Sequence, residues 1–303
     1  MQFALEADTK NYLYKDTYAV NANTGEVVNT ISITAPIGSI LYTPEQQEMY
    51  KRKKEIDRIK ETKRRNTKEL GGFYFILADN PFPDLAPETI TKLIMLCSYL
   101  NFENKFMFTE RTPMKKADIQ RILQLSRSAT YKFLQEVFPK YIIEEDDVLR
   151  LKNTEIILRG KINSDKKYKQ YQQFYINCVR KLYNSVSPRQ HAQLGYIFKL
   201  LPYINIEYNI ICSNPFENDL YMVQPLSVGE FCEKINYKKD NFAKLLKAYR
   251  QIVFPINGRK EYFVTYVSDG SHNRNMRFYV NPHIVYAGSN YSKVEILGAF
   301  CNS

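Results

Sequence analysis

The sequence predicts an α+β fold, mainly α, in which one helix-rich unit is used twice. Three observations lead there. Residues 113–138, PMKKADIQRILQLSRSATYKFLQEVF, read as helix, tight turn, helix: Ala117, Ile119, Ile122 and Leu123 stripe the first segment, and Tyr131, Phe133, Leu134 and Val137 the second. Residues 225–254 repeat this plan, with Pro225 matching Pro113, Leu226 matching Met114, Glu230-Phe231 matching Asp118-Ile119, and Leu245-Leu246 matching Phe133-Leu134. The ends meet again at Val137-Phe138 and Val253-Phe254. Upstream, LAPETITKLIMLCSYLN (85–101) resembles VSPRQHAQLGYIFKLLPYIN (186–205), each with a proline at the start of a helix and Tyr-hydrophobic-Asn at its end. Two blocks recurring in the same order are better explained by tandem duplication than by chance.

A chain of 303 residues, 44% hydrophobic, supplies core for two domains of about 150 residues each. No apolar run approaches the roughly 20 residues that span a bilayer, and residues 1–15 carry charges where a signal peptide needs an apolar centre. A soluble protein of the cytoplasm is expected, without membrane contact. Cys97, Cys178, Cys212, Cys232 and Cys301 show no CxxC spacing and are odd in number, so neither a zinc site nor a disulfide frame is indicated. The 43 Lys and Arg against 32 Asp and Glu give +11, which favours a polyanionic partner. The excess is concentrated: residues 234–260 hold 8 basic residues and 1 acidic, and residues 115–140 hold 6 and 2.

Taken in order, residues 11–41 alternate polar and apolar around Asn23-Thr24-Gly25 and predict a β-hairpin. Such a hairpin serves as an arm that pairs with a second subunit or with its own body, or simply lies on the surface. At Thr43-Pro44-Glu45-Gln46 a cap, a proline and an acidic first turn begin a helix that runs to about Lys68 and ends at Gly71-Gly72. Between Lys51 and Leu70 there are 10 basic and 4 acidic residues, a pattern that fits either a phosphate-tracking arm or a solvated helix of Glu–Lys pairs.

The first unit, residues 71–160, begins with a strand at Phe73–Leu77, followed by a helix bearing Ile90, Leu93, Ile94, Leu96, Cys97 and Leu100, and a short strand at Phe106-Met107-Phe108. The two helices follow, with Ser126 capping the second, so that Arg127, Ser128, Thr130, Tyr131 and Lys132 lie on its first turns. Residues 141–151 then form a hairpin with an acidic tip, Glu144-Glu145-Asp146-Asp147. Helix, strand, helix, helix, hairpin is the order of a winged helix, whose second helix enters the major groove by its N-terminal part. Four carboxylates at a wing tip repel phosphates. They are read as solvated, because no further acid is placed to complete a metal shell.

Residues 161–186 read as a linking helix striped by Tyr168, Tyr171, Tyr175, Cys178 and Leu182. The second unit, residues 187–303, opens at Ser187-Pro188 and carries Lys238, Lys239, Asp240, Asn241, Lys244 and Lys247 on its reading helix. Asn bonds adenine bidentately and Lys bonds guanine or phosphate, so this set suits groove readout better than that of the first unit. Its wing runs over Tyr262–Val267 and returns over Met276–Val280, with Arg274 and Arg277 making a cationic side.

The strand RFYVNP, ending at Asn281-Pro282 with Gly288 shortly after, resembles the C-terminal end of winged-helix plasmid and phage replication proteins of Gram-positive bacteria. The doubled unit is similar in plan to tandem winged-helix, iteron-binding initiators. That resemblance implies double-stranded DNA as the partner of the second unit, dimer contacts by the first, and a groove-reading role for Lys238 through Lys247. It covers residues 71–288 and fits replication initiation and transcription control alike. Residues 1–70 fall outside it.

No catalytic set is legible. His191, His272 and His283 lack metal-ligand spacing, the His-hydrophobic-His pair of rolling-circle nickases is missing, and there is no GxxxxGK[ST] loop. A non-enzymatic, cofactor-free DNA-binding protein is therefore expected. The alternative is a protein-interaction module in which the winged helices bind a host polymerase or defence factor instead of DNA.

Overall fold

A computed structural model describes residues 4–6, 12–20, 27–36, 40–42, 44–162, 170–256, 258–268, 276–288, 292–295 and 300–302. The chain is mixed α and β with small antiparallel sheets, and forms two compact units, Met1–Glu61 and Thr62–Ser303. In the first, β1 (Ala4–Glu6), β2 (Tyr12–Val20), β3 (Val27–Pro36) and β4 (Ile40–Tyr42) pair as β1 with β4 and β2 with β3. The expected hairpin is the β2–β3 pair; its turn at Asn23-Thr24-Gly25 lies outside the described residues.

Helix α1 (Pro44–Leu70) begins at the predicted proline and stops at Gly71, whose φ of 76° is the left-handed geometry that glycine adopts freely. Met49, Tyr50 and Ile56 on this helix are exposed, so its apolar residues are too few and too scattered to bury a face.

The second unit starts with β5 (Phe73–Leu77), α2 (Pro87–Cys97), α3 (Lys116–Ile122) and α4 (Arg127–Val137), followed by β6 (Ile142–Glu145), β7 (Val148–Leu151) and β8 (Ile157–Leu158). Then come β9 (Tyr171–Tyr175), α5 (Ile176–Ser185), α6 (His191–Lys199), α7 (Val228–Lys234) and α8 (Phe242–Tyr249). The chain closes with β10 (Val253–Ile256), β11 (Arg259–Tyr262), β12 (Val264–Ser268), β13 (Met276–Val280), β14 (Val285–Tyr286), α9 (Ser292–Glu295) and β15 (Cys301–Asn302).

The linking helix expected over 161–186 is only partly there. Tyr171–Tyr175 is a strand, and helix begins at Ile176. The three- and four-residue aromatic spacing is equally served by a strand buried on both faces, and Tyr171, Gln172, Phe174 and Tyr175 are all buried between β5 and β14. Tyr168 lies outside the described residues. Phe106-Met107-Phe108 likewise makes only isolated bridges, Leu100 to Phe106 and Met107 to Pro113.

Strands run β14-β9-β5-β8 in one sheet, and β5 meets β9 antiparallel with Phe73 opposite Tyr175 and Leu77 opposite Tyr171. The first half thus contributes β8 and β5, and the second β9 and β14, in mirrored order about Phe75 and Gln173. Helices α2 and α6 cross in the same sense: the Thr91 hydroxyl donates to the His191 carbonyl at 2.8 Å, and Gly195 packs on Pro87. Counting from Asn101 and Asn205, Pro87 corresponds to His191 and Thr91 to Gly195, so the two contacts exchange partners. Tyr74, Phe174, Phe198 and Phe263 form a chain of rings with centroids 5.6, 5.7 and 5.6 Å apart, which joins both halves in one core.

The loops repeat as well. The Asn101 amide oxygen accepts from Lys105 N at 2.9 Å, as that of Asn205 does from Tyr208 N at 2.9 Å. Phe106 N donates to Leu149 O at 2.9 Å, and Ile211 N to Phe278 O at 2.9 Å. Asn104 and Asn209, with φ of 58° and 53°, receive Leu151 N and Val280 N on their carbonyls. These bonds pair β7 with β13 in position, so the hairpin β10–β11 is an addition of the second half.

Candidate nucleic-acid interface

Helix α7 is started by Ser227, whose hydroxyl accepts from Glu230 N at 3.3 Å while the Glu230 carboxylate accepts from Ser227 N at 2.8 Å. It ends at Asn236, which takes a φ of 54° that only Gly, Asn and Asp tolerate at low cost. A single 3₁₀ turn, Lys239–Asn241, leads into α8. Phe242, Leu245 and Tyr249 bury one face of α8, and the Phe242 ring lies 5.8 Å from Phe231 and 5.9 Å from Phe278. With that face fixed, Lys238, Lys239, Lys244 and Lys247 fall on the exposed side.

The first half is built alike. Ser126 caps α4 by accepting from Ala129 N at 3.3 Å, and Gln124 takes a φ of 52° where Asn236 takes 54°. Leu125 N donates to Gln120 O at 3.1 Å, as Tyr237 N does to Cys232 O at 2.8 Å. On this match Arg127 corresponds to Lys239, Lys132 to Lys244, Gln135 to Lys247, and Val137 to Tyr249. The sequence match of Val137-Phe138 with Val253-Phe254 is thereby displaced, because β10 has no counterpart in the first half.

Arg127, Ser128, Tyr131 and Lys132 are exposed as expected, but Thr130 is not. It is 6% exposed and its hydroxyl donates to Ser126 O at 2.9 Å, so it holds the helix start instead of facing a groove. Tyr131, assigned to the apolar stripe, is 65% exposed. Asn241 is half-buried and receives the Tyr237 hydroxyl on its backbone carbonyl at 3.4 Å. Arg277 is exposed on β13, opposite Val267; Arg274 and the tip around His272 lie outside the described residues.

In the first half the paired charges lie off α4, whose exposed Arg127 and Lys132 form no ion pair among the described residues. Around the first, Lys116 contacts Glu144 at 2.5 Å, Arg121 contacts Asp118 at 2.9 Å, Arg150 contacts Glu145 at 3.6 Å, and Lys140 contacts Asp84. The acidic tip is thus partly neutralised from within, and Asp146 and Asp147, with φ of 50° and 59°, make its tight turn. Around the second, Lys238, Lys239, Lys244, Lys247 and Arg277 form no ion pair among the described residues. A groove of about 550 Å³ opens beside Lys239, lined also by Ser227, Val228, Asp240, Phe242 and Leu246.

Three further cations of the second half are exposed. Arg250 stacks on the Tyr266 ring at 5.2 Å, and Arg259 and Lys260 are exposed on β11. The Asn257-Gly258 pair between VFPI and RKEY is the turn signal that reveals their hairpin.

Asn281, on the signature that carries the family resemblance, is fully buried. Its amide donates to the Glu261 carboxylate and to Tyr262 O, both at 2.9 Å, and accepts from His283 N at 2.8 Å. His283 Nδ1 lies 2.7 Å from the same Glu261 oxygen. This network ties β11 to the turn after β13, a structural role.

No helix among the described residues is long and apolar enough to cross a membrane. Comparison with known protein families, with curated proteins and with solved structures finds no match to this chain.

Proposed function

We propose that the chain is a sequence-specific duplex-DNA-binding protein built from two tandem winged-helix units that arose by duplication. It acts in replication initiation or transcription control of a plasmid or phage. The second unit holds the DNA and the first contributes self-association. One observation carries this reading: Lys238, Lys239, Lys244, Lys247 and Arg277 are exposed cations without carboxylate partners among the described residues, on α8, the turn that leads into it, and strand β13. Cations held apart from carboxylates are available to replace the counterions of a polyphosphate. The fixed apolar face of α8 supports a rigid presentation of the other.

In an electrophoretic shift assay at several salt concentrations, affinity for duplex DNA falls steeply with salt. Lys238→Ala with Lys244→Ala lowers the slope of log affinity against log salt by about two. Asn241→Ala relaxes preference at one base pair and leaves that slope unchanged. Equal slopes for parent and double variant refute the assignment. Absence of binding even at low salt favours the protein-interaction module, for which the internally paired charges of the first unit and the exposed Phe216, Tyr221 and Met222 speak.

A further inference from the structure

A second cationic site lies away from the reading helices. The turn after α2 borders an open cavity of about 410 Å³ whose walls include Ser98, Tyr99, Phe102, Glu110, Arg159 and Arg180. Arg180 stacks on the Tyr99 ring at 3.9 Å, its Nε donating to the Ser98 hydroxyl at 2.9 Å and its Nη2 to Ser98 O at 2.7 Å. Arg159 lies 4.9 Å over the Phe102 ring and donates through Nη1 to Leu100 O; its Nε is buried and unpaired. Neither guanidinium forms an ion pair with a carboxylate among the described residues. Both guanidiniums line this one cavity, and burial, then the charge of Arg180, hold Arg159 below its ordinary pKa.

The corresponding corner of the second half is closed by the chain itself. There Lys293 pairs with Glu207 at 3.1 Å and lies 5.5 Å over the Tyr208 ring, beside the buried Val294. Glu103, at the position of Glu207, is instead turned to Lys105 in the first half. One corner therefore carries a matched cation and carboxylate, and the other two guanidiniums that form no ion pair among the described residues, with the exposed Glu110 at the cavity wall as their one carboxylate neighbour in the lining.

The geometry points to a nucleotide site, in which a terminal phosphate sits between Arg159 and Arg180 and its base stacks on Phe102. A phosphate monoester is dianionic and balances both guanidinium charges, whereas a carboxylate leaves one uncompensated. The Phe102 ring is 74% exposed, and the cavity falls in the range of about 300–1,000 Å³ usual for small-molecule sites. A free mononucleotide and the phosphorylated end of a strand present the same chemistry.

Isothermal titration of the full chain tests this with adenosine monophosphate, inorganic phosphate, and a short single strand with and without a terminal phosphate. The nucleotide binds with a Kd below about 1 mM and inorganic phosphate about tenfold more weakly, the difference being the stacking contribution. Phe102→Ala removes that difference without changing thermal unfolding, since the ring is exposed. Arg159→Gln weakens nucleotide and phosphate alike by about tenfold. Binding of the phosphorylated strand alone identifies a strand end as the ligand; binding of the mononucleotide as well identifies the free nucleotide. If neither binds, or if Phe102→Ala binds both as the parent does, the site is refuted. Lys238→Ala with Lys244→Ala leaves nucleotide binding intact, so this result and that of the duplex assay are independent.

Discussion

Gly195 packs so closely on Pro87 that a methyl group at its Cα would lie 1.8 Å from the Pro87 carbonyl oxygen. The obstacle is backbone at the first turn of α2, which cannot rotate away. Gly195→Ala therefore separates α2 from α6 and lowers the unfolding free energy by at least about 2 kcal/mol. Urea denaturation measures it, and a loss below about 0.5 kcal/mol contradicts the close crossing.

His191, at the reciprocal contact, is buried and stacks on Tyr183 with ring centroids 4.3 Å apart. Burial, and next the charge of Lys92, lower its pKa to about 4 from the ordinary 6.5. The unfolded chain then binds a proton that the folded chain refuses between these values. The stability from neutral His191 is complete above pH 6.5 and is lost as pH falls toward 4. Between pH 7 and 5 the parent loses about 2 kcal/mol through this group, and His191→Phe loses correspondingly less. Denaturant midpoints at the two pH values decide it; parallel losses in both proteins count against a neutral His191.

The Glu261 carboxyl is raised by burial, but hydrogen bonds from His283 and Asn281 outweigh that and hold it below the usual carboxylate range. A lowered carboxyl pKa stabilises the fold above the unfolded value, and the contribution disappears as pH falls through the folded one. Asn281→Ala leaves Tyr262 O and His283 N without their partner and costs about 2–4 kcal/mol. The sign of a purely surface role for Asn281-Pro282 is an Asn281→Ala protein as stable as the parent with weakened DNA binding.

Thr130 gives a prediction that separates folding from contact. Thr130→Ala removes the hydrogen bond to Ser126 O and costs about 1 kcal/mol, yet leaves the salt slope of DNA binding untouched. A changed slope with unchanged stability returns Thr130 to the interface.

Helix caps, turn residues and apolar periodicity were legible because they act over a few residues. Ser126 caps α4 as expected, Gly71 stops α1, and the lysines of α8 face outward because Phe242, Leu245 and Tyr249 face in. The lysine side of the proposed interface could thus be read from the chain, while Thr130 could not, since a hydroxyl turned back on its own helix looks in sequence like one turned to solvent. Tyr171–Tyr175 became a strand instead of linking helix because β5 and β14 supply its partners, and those lie about 100 residues away on either side. The sequence by itself determined two similar units and an excess of positive charge. Only the tertiary structure decided which charges are cancelled, since Lys116 finds Glu144 across 28 residues whereas Arg159 and Arg180 line one cavity without an ion pair among the described residues: pairing depends on where long-range packing brings side chains, and local pattern holds no record of that.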